Sequence, residues 1–254
     1  MIAHLNSWTA QLVAAIAFYT VLPVPTHGAL EFQWVSRWIV GVGLLIGSLL
    51  ALLNWGLWAV NMPTLVRSAV VVLAWVGITG GLHLDGAMDT ADGLAVQDPQ
   101  RRLAVMTDSA TGAFGAMAAI ALILLKVTAL TELQPMSAPA LILTAGWGRW
   151  AQQVAIARYP YLKPTGKGAF HKKALPSIWY TLPSGVGLLA LSVLFSQVGL
   201  SWQWSLSAAI LGGAIALLIP AWFHHKLGGH TGDTYGATVE WTEAIVLVGL
   251  TVVN

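Results

Sequence analysis

Residues 65–93 read LVRSAVVVLAWVGITGGLHLDGAMDTADG, an apolar run followed directly by three carboxylates. The run at 65–82 is close to the roughly 20 apolar residues that cross the hydrocarbon core of a bilayer. Asp85, Asp89 and Asp92 then stand at i, i+4 and i+7. At about 100° per residue they fall within an arc of roughly 60° on one helix face. Three adjacent anions repel one another unless a cation sits among them. Oxygen-only donors favour Mg²⁺, Mn²⁺ or Ca²⁺ over zinc.

Outward from this stretch, apolar runs recur at 34–60, 113–131, 138–157, 178–196 and 205–223, with shorter ones at 8–22 and 242–254. In lipid such runs must be helices, because an open strand leaves its backbone groups unpaired. The expected fold is an all-α polytopic transmembrane bundle of six well-defined helices and two shorter terminal ones, a single integral-membrane domain over residues 1–254. Composition agrees: only 9% of the residues are charged, against roughly 25% in soluble domains, and the mean hydropathy is +0.73. Thirteen Trp suit interfacial belts. The absence of Cys excludes disulfides, zinc–thiolate sites and Fe–S clusters. The first eight residues carry no Lys or Arg and no clear cleavage site follows, so they read as part of the mature protein. The partners expected at this level are the lipid bilayer and an anionic substrate, not nucleic acid; the sequence leaves room for a homo-oligomer.

Two helices separate each successive pair of the long polar segments 23–33, 83–112, 158–177 and 224–241, so all four emerge on one face. Nine of the ten acids lie there or at its edge, with Glu132 opposite, as do nine of the twelve Lys and Arg. Positive charge in short loops marks the cytoplasmic side. The expected localisation is therefore the cell (inner) membrane, with the active site facing the cytoplasm.

Acids at membrane depth are costly and are kept for function, which favours a metal role for the three aspartates over a solvated helix end. Asp108 follows a turn at Asp98-Pro99, and Arg101 and Arg102 between them are candidates for a phosphate clamp, with membrane anchoring the competing reading. The basic, glycine-punctuated stretch 161–173 suits an anionic substrate through Lys163 and Lys167, while Lys172 and Lys173 read as lipid-headgroup anchors. In the four-glycine segment 228–236, Asp233 is a candidate for a metal or a ligand hydroxyl. Glu240 and Glu243 read as opening the last helix, favourably placed at its N-terminus. Arg149, roughly 12 Å inside its helix, must face the bundle interior and is expected to meet a phosphate or an acid. Lys126 is expected to snorkel to the opposite interface. Every histidine but His4 lies on the acidic face, yet adjacent histidines point apart on a helix and no His-Glu-x-x-His pattern exists, which disfavours zinc.

Taken in order, these motifs resemble the cobalamin synthase family, the adenosylcobinamide-GDP ribazoletransferases. The resemblance runs from Leu22-Pro23-Val24-Pro25 through Gly81-Leu82-His83-Leu84-Asp85-Gly86 and Asp89-Thr90-Ala91-Asp92-Gly93-Leu94, Asp108-Ser109 and Lys163-Pro164-x-Gly166-x-Gly168. It ends at Gly228-Gly229-x-Thr231-Gly232-Asp233-Thr234. It implies a transferase of late cobalamin biosynthesis. The ribose hydroxyl of α-ribazole, or of its 5′-phosphate, attacks the cobinamide-side phosphorus of adenosylcobinamide-GDP, and GMP leaves. It implies Mg²⁺ on Asp85, Asp89 and Asp92, with Asp108 or His83 taking the hydroxyl proton. Arg149, Lys163 and Lys167 are the implied phosphate contacts. Thr107 and Ala110 stand where the family pattern carries basic residues, Lys163 where it carries Arg, and His230 where it carries Tyr. Two other classes compete. A CDP-alcohol phosphotransferase has shorter Asp-x-x-Asp spacing and a following Ala-Arg, both missing here. An ion transporter would spread its acids through several helices near the midplane.

Overall fold

The computed structural model describes residues 7–25, 30–163, 168–197 and 199–253. Among these, eleven α-helices follow in order: α1 (Ser7–Tyr19), α2 (Ile39–Ala59), α3 (Thr64–Ile78), α4 (Leu82–Ala95), α5 (Arg102–Val105), α6 (Ala113–Glu132), α7 (Ser137–Arg158), α8 (Ala169–Ala174), α9 (Leu182–Gln197), α10 (Trp202–Leu227) and α11 (Gly232–Thr251). Short 3₁₀ turns link several of them, and the described residues contain no β-strand. The all-α bundle expected from the sequence is what is found. The helices α2, α6 and α10, and α9 with its leading turn (Ile178–Gln197), are each long and apolar enough to cross a membrane.

The centre of the bundle is α7, buried almost all round from Ser137 to Ala157 and flanked by α2, α11, α10 and α9. Its tightest partner is α2, across Gly43 and Gly47. A Cβ on Gly43 would sit 2.6 Å from the Ala145 carbonyl oxygen, and one on Gly47 2.7 Å from that of Leu141. The Gly-x-x-x-Gly spacing thus lets two backbones touch, the way helices associate where solvent exclusion gives no drive.

The first terminal helix is short, as expected, and the last differs. The described part of α1 has 13 residues, about 20 Å at 1.5 Å per residue. At the other end the last helix is longer than the apolar run 242–254. It starts at Gly232, where Thr231 and Thr234 cap each other's backbone amides at 3.2 and 2.7 Å. This capping box closes α11 onto the end of α10, which stops at Gly228 with φ +82°.

The opening stretch bends sharply. Gly80 and Gly81 have φ of +61° and +72°. The Gly81 amide donates to the Val76 carbonyl and the Gly80 amide to that of Gly77, a Schellman termination of α3. The chain then turns 88° into α4. There α4 packs against the N-terminal turns of α6 and α11.

Candidate active site

The end of the bundle gathers α4, the loop before α8 and the N-terminus of α11. Gly86 of α4 passes so close to α11 that a Cβ there would sit 2.6 Å from the Asp233 carbonyl oxygen. That approach sets Asp233 beside the acidic face of α4. The Asp89 carboxyl is pushed up to about 6, first by its partial burial, then by the charges of Asp85, Asp233 and Asp92, with Lys163 opposing. Lys163 Nζ lies 3.3 Å from Asp233 Oδ2, which also accepts the Thr231 hydroxyl at 3.1 Å. Three of the four long polar segments meet here, at a cavity of about 310 Å³ whose walls include Tyr19, Asp85, His171, Asp233 and Tyr235.

Asp92 is turned elsewhere. Its two carboxylate oxygens accept the backbone amides of Gly112 at 2.7 Å and Gly115 at 2.8 Å, which anchors the N-terminus of α6 where no capping side chain is present on Gly112 itself. The close fit leaves no room for a Cβ at either glycine. Among the described residues no three Asp, Glu or His side chains converge tightly enough to hold a metal alone.

His83 is buried at 2% exposure, and burial together with nearby Arg149 holds its ring well below the usual pKa, hence neutral. Arg149 Nη2 lies 3.5 Å from His83 Nδ1. The guanidinium can only donate, so Nδ1 accepts and Nε2 carries the proton. His83 therefore offers an N–H donor and not the lone pair that a general base needs. Asp108 is exposed on the loop before α6, accepting the Ala110 amide at 3.1 Å, and does not line the cavity.

The basic candidates separate. Arg102 donates to the carbonyls of Val96 and Lys226 at 3.1 Å each, which ties the segment after α4 to the end of α10. Arg101 is exposed. Lys172 donates to the carbonyls of Ile156, Ala157 and Tyr159, so it caps α7 and is not a headgroup anchor. Lys167 lies outside the described residues. His230 is fully buried, with Nδ1 on the Thr234 hydroxyl and Nε2 on the Pro220 carbonyl, both at 3.1 Å.

Arg149 does face the interior, 5.4 Å from the Tyr19 ring centre. Beyond it lies a charge cluster the sequence reading missed. Lys126 Nζ is 2.7 Å from Glu240 and 2.6 Å from Glu243, all three nearly fully buried. Lys126 does not snorkel, and the two glutamates do not open a helix. They sit 8 and 11 residues past the start of α11, about 12 and 17 Å in. Acids do occur inside the bundle, then, but paired with Lys126 and faced by Arg149. Nothing local in the sequence marked this cluster, because a Lys in one apolar run and acids at the junction of a polar segment and the last apolar run read separately as interface residues.

A family model described as cobalamin-5-phosphate synthase matches residues 11–251. An adenosylcobinamide-GDP ribazoletransferase of Trichormus variabilis is 58% identical over 96% of this chain and 97% of its own length. One from Thermosynechococcus vestitus is 49% identical over 98% of both, and one from Prochlorococcus marinus is 39% identical over 96% of both. No solved structure matches. With the family model and such relatives both covering nearly its full length, the chain belongs to the cobalamin-5-phosphate synthase family.

Proposed function

We propose that this membrane protein joins adenosylcobinamide-GDP to α-ribazole, or to its 5′-phosphate, with release of GMP. The observation that carries the reading is the set Asp85, Asp89 and Asp233 at the end of the bundle, next to Lys163, in a chain matched over residues 11–251 to the family. Phosphoryl transfer asks a protein mainly to position its reactants and offset charge.

The residues fit Mg²⁺. All donors are oxygens, and Asp89 is partly buried and crowded by like charge that a bound cation would relieve. Mg²⁺ is commonly held by one or two carboxylates completed by substrate phosphates and water, so a converging protein triad is not required. Asp85 and Asp89 would hold the ion, with Asp233 beside them; bound there, it neutralises charge on the diphosphate. Asp92 acts by fixing α4 to α6. Lys163, 3.3 Å from Asp233, is the residue that would meet the phosphates. His83 donates its Nε2 hydrogen into the cavity. Arg149 does not line the cavity and acts through His83, which does and lies 3.5 Å from it. By the positive-inside argument the site faces the cytoplasm, with the bundle in the cell membrane.

The test is GMP release from adenosylcobinamide-GDP by purified protein with Mg²⁺. Release should require α-ribazole or its phosphate, and no release with either acceptor would sink the assignment.

A further inference from the structure

Three polar atoms that find no partner in the protein point to a ligand. Gln152 Oε1, Tyr235 Oη and His83 Nε2 are each buried without a hydrogen-bond partner, and their residues are 4%, 2% and 2% exposed. All three belong to different helices, yet all line the same cavity of about 310 Å³. Leaving a buried polar atom unpaired costs free energy comparable to a lost hydrogen bond, so three around one space mark a place built to be filled by hydrogen-bonding atoms.

The rest of the wall narrows the choice. Phe18, Tyr19, His171 and Tyr235 present rings to the cavity. Tyr19 stacks at 25° on His171 and at 19° on His83, so the faces are ordered and suit a flat aromatic group. Asp85 and Asp233 close the remaining side, and no Lys or Arg is among the described lining residues. Burial holds His171 at about 4, hence neutral. A described wall of aromatic rings, neutral imidazoles and two carboxylates suits an uncharged heterocycle. The volume lies at the bottom of the range for small-molecule sites, which excludes a macrocycle.

We infer that this cavity is the seat of the acceptor's base: the planar heterocycle of α-ribazole lies among the aromatic rings, held by Gln152, Tyr235 and His83, with its ribose directed to Asp85 and Asp233. The inference rests on the reaction proposed above and adds which substrate this space takes. The corrinoid nucleotide then approaches from outside, over Lys163 and the acidic face.

The experiment measures steady-state kinetics for both substrates with Tyr235→Phe and Gln152→Leu, plus calorimetric titration of the purified proteins with α-ribazole. Tyr235→Phe removes only a hydroxyl and keeps the ring stacked between Tyr161 and His230, so it separates binding from folding. The KM for α-ribazole should rise roughly three- to tenfold per variant, the worth of one neutral hydrogen bond, with the KM for adenosylcobinamide-GDP and kcat unchanged. A rise in the KM for adenosylcobinamide-GDP instead would assign the cavity to its guanine and overturn the inference, as would no change in either. If wild-type protein turns over neither substrate, the proposed reaction fails while calorimetry still decides the cavity: α-ribazole binding lost in Tyr235→Phe supports it, and no binding to wild type overturns it.

Discussion

Replacing Lys126 by Met should unfold the bundle at a markedly lower temperature. Lys126 makes two charged contacts, at 2.7 Å to Glu240 and 2.6 Å to Glu243, where all three side chains are at most 5% exposed. The ring centre of Trp75 lies 4.5 Å from Nζ, and Met keeps the apolar stem while losing that cation–π contact. What Met removes is the charge, and two carboxylates then remain with only Arg149 to face them. Breaking a buried pair by deleting one partner costs about 3–5 kcal/mol. For a chain of this size about 1 kcal/mol moves the melting temperature by roughly 2–4 °C, so Lys126→Met should melt roughly 6–20 °C below wild type in the same detergent. The double variant Lys126→Met, Glu240→Gln leaves one acid, Glu243, and one base, Arg149, and should recover at least half of that loss. Differential scanning fluorimetry of the four proteins of this cycle measures the coupling. A lysine that merely snorkelled would give a Met variant within about 1 °C of wild type, and that result would refute the buried cluster.

The aspartates of α4 should separate by phenotype. Asp92→Asn should lower stability by about 1–2 kcal/mol through loss of a charged cap, whereas Asp85→Asn and Asp89→Asn should abolish GMP release without lowering the melting temperature, Asp89→Asn raising it at neutral pH. Near-normal turnover in both of the latter removes the metal proposal. A second expectation concerns pH. Asp89 sits at about 6 in the fold against 3.8 in the unfolded chain, so its contribution to stability is full below pH 3.8 and is lost as pH rises through 6. Without divalent cation, melting temperature should carry a falling component between pH 4 and 6 that Asp89→Asn removes. Millimolar Mg²⁺ should raise the melting temperature at pH 7.5 more than at pH 5, and equal shifts at both would argue against a carboxylate-held ion.

The apolar helices were readable because lipid permits only one backbone solution to a 20-residue apolar run. The α10–α11 junction was not. Segment 232–241 reads GDTYGATVEW, polar enough to pass for a loop, yet Thr234, Thr238 and Glu240 face the interior against α4, α6 and α7. The capping box at Thr231 and Thr234 was the available signal, weakened by Thr where Glu or Gln is usual. The same inversion hid Gln152 and Tyr235. Hydropathy reports which residues meet lipid and is silent on polar residues that meet each other. The acidic stretch was visible as chemistry, but the spacing of Asp92 only said which helix face it shares. That its oxygens go to Gly112 and Gly115 follows from a contact 20 residues away, which periodicity cannot see.

The helix α4 is fixed at both ends, by the paired left-handed glycines at 80 and 81 and by the Asp92 grip on α6. A free loop bearing the same acids would relax by letting them drift apart. A beam clamped at both supports cannot, so the mutual repulsion of Asp85, Asp89 and Asp233 is held in the fold as a load. A cation bound there, as proposed, would discharge that load without waiting for the protein to rearrange. The same rigidity makes the acid spacing a gauge: an ion demanding longer bonds or more ligands finds a frame that does not stretch to meet it.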